Sequence, residues 1–278
     1  MMEILIADPT GLCFGVKRAV TALEKELSAS SRVYSLGSPI HNPQEIERLK
    51  KLGLVVVDAP EEVPEGSVSF VRAHGVAPDV MAALKKRSSS VIDGTCPFVK
   101  TAQDRARSLS EEGYVVVISG DLEHPEVQGI MGYAAGEVAM IAADAKVPEA
   151  LKGRRRGILS QTTQKVSSFV SLVSAFVSVS PEIKVYNTIC KATLARQESV
   201  RRLASKVDGM IVLGGRNSAN TRKLAEICKD AAIPALWIEH AGEIDRGWLQ
   251  GKAKIGIAAG ASTTDWLIKE LIQKLQKM

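Results

Sequence analysis

Short apolar runs alternate along the chain with stretches whose apolar residues recur every three or four positions. The first kind predicts strands and the second amphipathic helices. The alternation comes round three times. An apolar stretch (Met2–Ala7, Ser90–Asp93 and Ile183–Tyr186) is followed within a few residues by a cysteine, Cys13, Cys96 or Cys190. A helical pattern then begins. It is carried by Val16, Val20, Leu23 and Leu27 after Cys13, and by Val99, Ala102, Ala106 and Leu109 after Cys96. After Cys190 it is carried by Leu194, Val200, Leu203 and Val207.

Each helix leads to another strand (Val33–Leu36, Tyr114–Ile118, Met210–Leu213) and then a polar loop: 37–43, 120–126 or 214–220. His41, His124 and Ser218 each lie 28 residues beyond their cysteine, and Pro43, Glu126 and Asn220 lie 30 beyond. A helix follows each loop (Gln44–Leu52, Val127–Ala134, Thr221–Ala231), then a strand (Leu54–Asp58, Val138–Ala142, Ala235–Glu239) and a second strand. The second strands end in Arg72-Ala-His-Gly75, Ser160-Gln-Thr-Thr163 and Ala259-Gly-Ala-Ser-Thr263. A last helix closes each unit (Pro78–Lys86, Val166–Val177, Asp265–Leu275). Such alternation predicts an α/β fold with mainly parallel sheets, and ligands collect beyond the carboxyl ends of parallel strands. The expectation is three similar α/β domains in a pseudo-threefold arrangement: 14–96, 97–187, and a third made of 1–13 with 188–278. The strand before Cys13 should pair with the C-terminal domain, because the strands before Cys96 and Cys190 close the units that precede them.

The 278 residues are 45% apolar and 24% charged, ordinary values for a globular protein, with only 4% aromatics. A net charge of +5 suits an anionic ligand or an acidic partner. No basic stretch carries interleaved aromatics, so no nucleic acid is expected. No run approaches the length of a membrane span, so no membrane is expected either. The first residues read as a strand rather than a signal peptide, and a cytoplasmic location is expected. Thiols stay reduced there, so four cysteines point to metal, catalysis or core filling before disulfides.

Any one of these cysteines alone reads more readily as core filler. Three at corresponding points of a repeat do not. Converging thiolates repel unless a cation lies between them, either zinc or an iron–sulfur cluster. Cys228 has no counterpart in the other units and reads as a core or surface thiol. His41, His74 and His124 all fall in the polar loops and, on a basic chain, suggest a phosphate-rich ligand. The loops 214–220 and 259–263 suit anion binding by backbone N–H groups. Glu126 is the one carboxylate at its repeat position. It reads equally as a proton donor in a closed cavity and as a carboxylate complementing a helix dipole. Arg154-Arg-Arg156 reads as a solvated turn, with a docking patch for an acidic electron carrier as the lesser alternative, and His240 as unrelated to the site.

The motifs Gly11-Leu-Cys-Phe-Gly-Val-Lys-Arg-Ala19, His41-Asn-Pro43, Arg72-Ala-His-Gly-Val76, Asp93-Gly-Thr-Cys-Pro97 and Glu123-His-Pro-Glu126 occur in this order. They are followed by Ser160-Gln-Thr-Thr163, Asn187-Thr-Ile-Cys190, Arg196-Gln-Glu198, Asn217-Ser-Ala-Asn220 and Gly260-Ala-Ser262. Over essentially its whole length the chain resembles the 4-hydroxy-3-methylbut-2-enyl diphosphate reductases of the methylerythritol phosphate route to isoprenoids. The resemblance implies a trefoil of α/β domains around one [4Fe–4S] cluster held by Cys13, Cys96 and Cys190. One iron is left open to substrate, and the cluster can be recovered as [3Fe–4S]. It implies a diphosphate site among His41, His74, His124, Ser218, Asn220 and Ser262, with Thr162 beside the substrate hydroxyl and Glu126 delivering protons. Ala219 departs from the pattern, standing where a second serine is common. The implied reaction is a two-electron reductive dehydroxylation to isopentenyl and dimethylallyl diphosphate, fed by an acidic carrier such as ferredoxin or flavodoxin. Two alternatives remain: a zinc-dependent hydrolase of a phosphorylated metabolite, and a non-catalytic iron–sulfur sensor.

Overall fold

The computed structural model describes residues 2–141 and 153–278. It contains three four-stranded sheets, and every strand pairing in them is parallel. By backbone contacts the chain divides into two compact bodies. One comprises Met1–Lys17, Ile40–Glu47 and Lys191–Met278, and the other Arg18–Pro39 and Arg48–Cys190.

The second body holds two of the sheets. In one, β2 (Val33–Leu36), β3 (Leu54–Val57), β4 (Val68–Val71) and β5 (Ser90–Asp93) run in the order β3-β2-β4-β5. In the other, β6 (Val115–Ser119), β7 (Val138–Ile141), β8 (Arg156–Ser160) and β9 (Ile183–Tyr186) run in the order β7-β6-β8-β9. The expected strand Val138–Ala142 is thus observed to Ile141; Ala142, like Met1, lies outside the described residues.

The first body holds β1 (Glu3–Ile6), β10 (Gly209–Leu213), β11 (Ala235–Ile238) and β12 (Lys254–Ala259) in the order β11-β10-β12-β1. The three orders are the same, with β1 occupying the place that β5 and β9 take elsewhere. Glu3 to Ile6 register against Lys254 to Ile257, so the first strand completes the last sheet, as the circular count of the repeat anticipates.

The helices fall where the periodicity puts them. α1 (Phe14–Ala29), α4 (Pro97–Glu111) and α7 (Lys191–Ala204) follow the three cysteines. α2 (Pro43–Lys51), α5 (Pro125–Met131) and α8 (Ala219–Asp230) follow the first polar loops, and α3 (Pro78–Arg87), α6 (Val166–Val177) and α10 (Asp265–Gln276) close the units. One further short helix, α9 (Arg246–Leu249), has too few residues to show a period.

Packing follows from the two periods. Along β10, Met210 and Val212 join one buried cluster with Val200, Leu203, Leu224 and Ile227, while Ile211 and Leu213 join another with Leu267, Leu271 and Leu275. A strand turns successive side chains to opposite faces, so β10 needs apolar residues throughout, and helices cover both of its faces. Among the described residues no helix is long and apolar enough to cross a membrane.

One expectation is corrected. Arg154 and Arg155 do lie at the surface, paired with Glu137 and Glu182 at 2.5 and 2.6 Å. Arg156, however, is the first residue of β8 and is fully buried. β8 runs between β6 and β9, so its residues are enclosed on both edges, and the solvated reading holds for Arg154 and Arg155 but not for Arg156.

Candidate active site

Each of the three repeat cysteines is the last residue before a helix, where unpaired N–H groups favour an anionic ligand atom. All three are partly exposed, and none is in a disulfide. The backbone N–H of Cys13 donates to Ala261 O at 3.1 Å, that of Cys96 to Ala73 O at 3.0 Å, and that of Cys190 to Thr162 O at 3.0 Å. Those carbonyls belong to the three corresponding strand-end loops. The residues that follow them, Ser262, His74 and Thr163, therefore hold equivalent places. The repeat counted along the sequence is a repeat of hydrogen bonds as well.

In the second body, His124 caps α5, its Nδ1 accepting from Glu126 N at 3.1 Å. In a neutral ring that bond places the proton on Nε2. The His74 ring meets the His124 ring edge-on, with centroids 5.2 Å apart. Two residues into the same helix, Glu126 is buried at 2% exposure. Its Oε1 accepts from Thr162 N at 2.6 Å and its Oε2 from Thr162 Oγ1 at 2.9 Å. Burial pushes the Glu126 carboxyl up to about 7, against the lowering effect of the two Thr162 hydrogen bonds; the Asp121 charge adds to the rise. Of the two roles left open for Glu126, this arrangement suits a proton donor better than a surface charge on a helix dipole. Gln161, also fully buried, accepts from Asp121 N at 2.9 Å and fixes the loop leading to α5.

In the first body, Ser218 caps α8, its Oγ accepting from Thr221 N at 3.2 Å. Asn42 is the corresponding device before α2. Its Oδ1 accepts from Glu45 N at 3.0 Å and its Nδ2 donates to Ser262 O at 3.3 Å, binding the His41 loop to the Ser262 loop. Gly215 packs so closely against the same loop that a Cβ there would overlap the His41 carbonyl oxygen. Ser218, Asn220 and Ser262 are all buried, and among the described residues Asn220 Nδ2 has no acceptor. A buried amide left unpaired costs about 1–3 kcal/mol, which a ligand oxygen would recover.

Sequence reasoning did not single out Asn42, although Asn followed three residues later by Glu is an N-terminal capping signature. Cys228 lies buried on α8 and burial pushes its thiol up to about 11, as befits a core residue. His240 is exposed and caps a short 3-10 turn at Ala241–Glu243.

Residues 4–276 match the family model described as LytB protein. A relative from Geobacter sp. strain M21, named 4-hydroxy-3-methylbut-2-enyl diphosphate reductase, is 42% identical over 274 residues, covering 99% of this chain and 97% of its own. A relative of the same name from Aquifex aeolicus is 45% identical over 282 residues, covering 100% and 97%. A solved structure described as (E)-4-hydroxy-3-methyl-but-2-enyl diphosphate reductase, the terminal enzyme of the non-mevalonate pathway, is 44% identical and covers both chains fully with a TM-score of 0.72. With three matching parallel sheets and cysteine loops built alike, the chain belongs to the LytB family of 4-hydroxy-3-methylbut-2-enyl diphosphate reductases.

Proposed function

We propose that the chain converts (E)-4-hydroxy-3-methylbut-2-enyl diphosphate, with two electrons and two protons, into isopentenyl or dimethylallyl diphosphate and water. Cys13, Cys96 and Cys190 hold one [4Fe–4S] cluster, recoverable as [3Fe–4S], in a protein of three α/β domains bounded at 14–96, 97–187, and 1–13 with 188–278. Three sulfurs from separate loops, each anchored through its own N–H, fit that cluster. When bound, the cluster supplies electrons one at a time and a Lewis-acidic iron.

The observation that carries the reading is Thr162. Its N–H and hydroxyl hold Glu126, and its carbonyl receives the Cys190 N–H. One residue thus ties the proton donor to a ligand loop.

The chain's own residues then have separable tasks. His41, His74, His124, Ser218, Asn220 and Ser262 bind the diphosphate, whose affinity holds the far end of the substrate in place. Thr162 orients the substrate hydroxyl. Hydroxide is a poor leaving group, and Glu126 gives the proton that lets it depart as water. The second proton goes to carbon, and the end that receives it decides the product. The net positive charge suits an acidic one-electron carrier such as ferredoxin or flavodoxin, and the reaction belongs in the cytoplasm. Family membership leaves the zinc hydrolase and the sensor without support.

Anaerobic purification tests the reading. Expected are a brown protein with iron and acid-labile sulfide in equal amounts, and consumption of the allylic diphosphate under a reduced donor. A colourless zinc protein, or a cluster-loaded chain inert toward the substrate, would refute it. Cys96→Ser should bleach the visible absorbance, and an unchanged spectrum would exclude that ligand. Glu126→Gln should keep cluster and substrate binding and lose roughly 10²–10⁴-fold in turnover.

A further inference from the structure

We propose that Arg196 is a positioning residue for Cys13 and Arg18 a positioning residue for Cys96. Each guanidinium rides on the helix that follows one cysteine and grips the main chain just ahead of another. The inference rests on the cluster reading above, and it concerns two arginines whose motifs that reading leaves without a task.

Arg196 lies on α7, the helix after Cys190, and is 4% exposed. Its Nη2 donates to Gly11 O at 2.7 Å and its Nη1 to Ala192 O, one turn back on its own helix, at 3.1 Å. Arg18 lies on α1, the helix after Cys13, and its Nη2 donates to Thr95 O at 2.6 Å. The two acceptors stand two residues before Cys13 and one residue before Cys96. Each link lies inside a single compact body.

Each ligand loop is also tied to the helix that follows it, Lys17 N donating to Cys13 O at 2.9 Å and Lys100 Nζ pairing with Asp93 Oδ2 at 2.6 Å. Ahead of Cys13, Thr10 Oγ1 accepts from Ala259 N at 2.7 Å, and the Cys13 N–H goes to Ala261 O. Gly11 holds a left-handed φ of +73°, with Ile268, Asp265 and Thr263 filling the space a side chain would need, so the direction of its carbonyl is set. Ahead of Cys96, Asp93 Oδ1 accepts from Thr95 N at 2.9 Å, and the Cys96 N–H goes to Ala73 O. The arginine adds a connection by which the helix behind one sulfur holds the loop bearing another. Burying a guanidinium is costly unless its N–H groups are bonded, so a core that needed only bulk at 196 would be better served by an apolar residue. Three thiolates must be in place together to hold a cluster. Partners that orient ligands from outside the coordination shell typically contribute 10–100-fold to metal affinity. A guanidinium held on the main chain one or two residues before a ligand also favours the more negative, reduced cluster.

The test uses the cluster-loaded enzyme, reconstituted anaerobically, with Arg196→Met, Arg18→Met and the two Arg→Lys variants. Iron loss to a chelator is followed by decay of the visible absorbance, and the cluster midpoint potential is measured. Both Met variants should lose iron about tenfold faster than the parent and show a lower midpoint potential. The Lys variants, which keep the charge and a single donor nitrogen, should fall between. The urea midpoint of cluster-free Arg18→Met should match the parent, because Arg18 is exposed. Iron loss and potential equal to the parent's in the Met variants would overturn the inference. Should Arg196→Met fail to fold, Arg18→Met decides alone by the same two readings. A parent chain that binds no cluster would instead refute the proposed function and this inference with it; a parent cluster with unaltered variants refutes only the inference.

Discussion

Glu126 brings the conflict between folding and chemistry into one side chain. Its native carboxyl sits near 7 against an ordinary 4.5, so the folded chain binds that proton more tightly than the unfolded one. The stabilising contribution of the protonated group is complete below about 4.5 and is lost as pH rises through about 7. Above that, the buried carboxylate costs on the order of 3 kcal/mol relative to a neutral group of the same shape. Glu126→Gln in the cluster-free protein should therefore be about as stable as the parent at pH 4 and more stable at pH 8, by up to about 3 kcal/mol. Urea denaturation across that range reads the difference, and a gap that does not change with pH would mean Glu126 does not titrate there. The cysteines show the opposite choice. Cys228, with its thiol pushed up to about 11 by burial, should resist alkylation at pH 8 in the folded apoprotein, whereas Cys13, Cys96 and Cys190 are accessible. Cluster loading should protect those three. Mass spectrometry of labelled peptides would contradict the assignment if Cys228 reacted as fast as the rest.

At the level of elements, helix starts do most of the placing. α5 and α8 begin with a capping side chain, His124 or Ser218, that is also a candidate diphosphate contact, and Asn42 serves α2 in the same way. The cap fixes where the side chain points, so a diphosphate bound there would meet groups already held. Gly215→Ala tests this at the place where two loops touch. The added methyl must displace the His41 carbonyl, and KM for the allylic diphosphate should rise about tenfold with kcat little changed, the mark of lost uniform binding. Unchanged KM in initial-rate kinetics would show that the contact between loops is slack. The elements themselves were legible in the sequence to within a residue or two, except that α5 ends at Met131, three residues before the expected Ala134. Val33–Leu36 and Val166–Val177 coincide with their expected bounds because their apolar patterns are unbroken. α9 and the turns at Pro60–Glu62 and Ala241–Glu243 were not legible, since three or four residues carry no period. Arg156 was misread for a related reason: one charged residue in a basic run looks solvated, and only the position of β8 between two other strands shows that it is buried.

For the whole molecule, the repeat was readable because each unit spends its polar residues at the same ends of the same strands. The side-chain-to-backbone links were not. Arg196 and Gly11 are 185 positions apart, and no local pattern announces such a bond. β1 is the clearest case of a long-range feature that the repeat did reveal, and it carries a consequence for stability. Met2 and Ile4 pack against the cluster of Ile255, Ile257 and Leu275, while Leu5 packs against that of Val200, Met210 and Ile227. The strand therefore seals both faces of its sheet at one edge and leads directly into the Cys13 loop. Replacing Ile4 and Leu5 together by Ser removes two partly buried aliphatic side chains, and about 1–2 kcal/mol each is expected for partial burial. The urea midpoint of the cluster-free protein should fall accordingly. The double variant should also hold its cluster less firmly, because the loop that carries Cys13 begins where β1 ends. Equilibrium unfolding and chelator kinetics on the same preparation separate the two effects. A lowered midpoint with parental iron retention would show that Ala259, Ala261 and Arg196 hold the Cys13 loop without help from the strand, and that β1 serves the sheet alone.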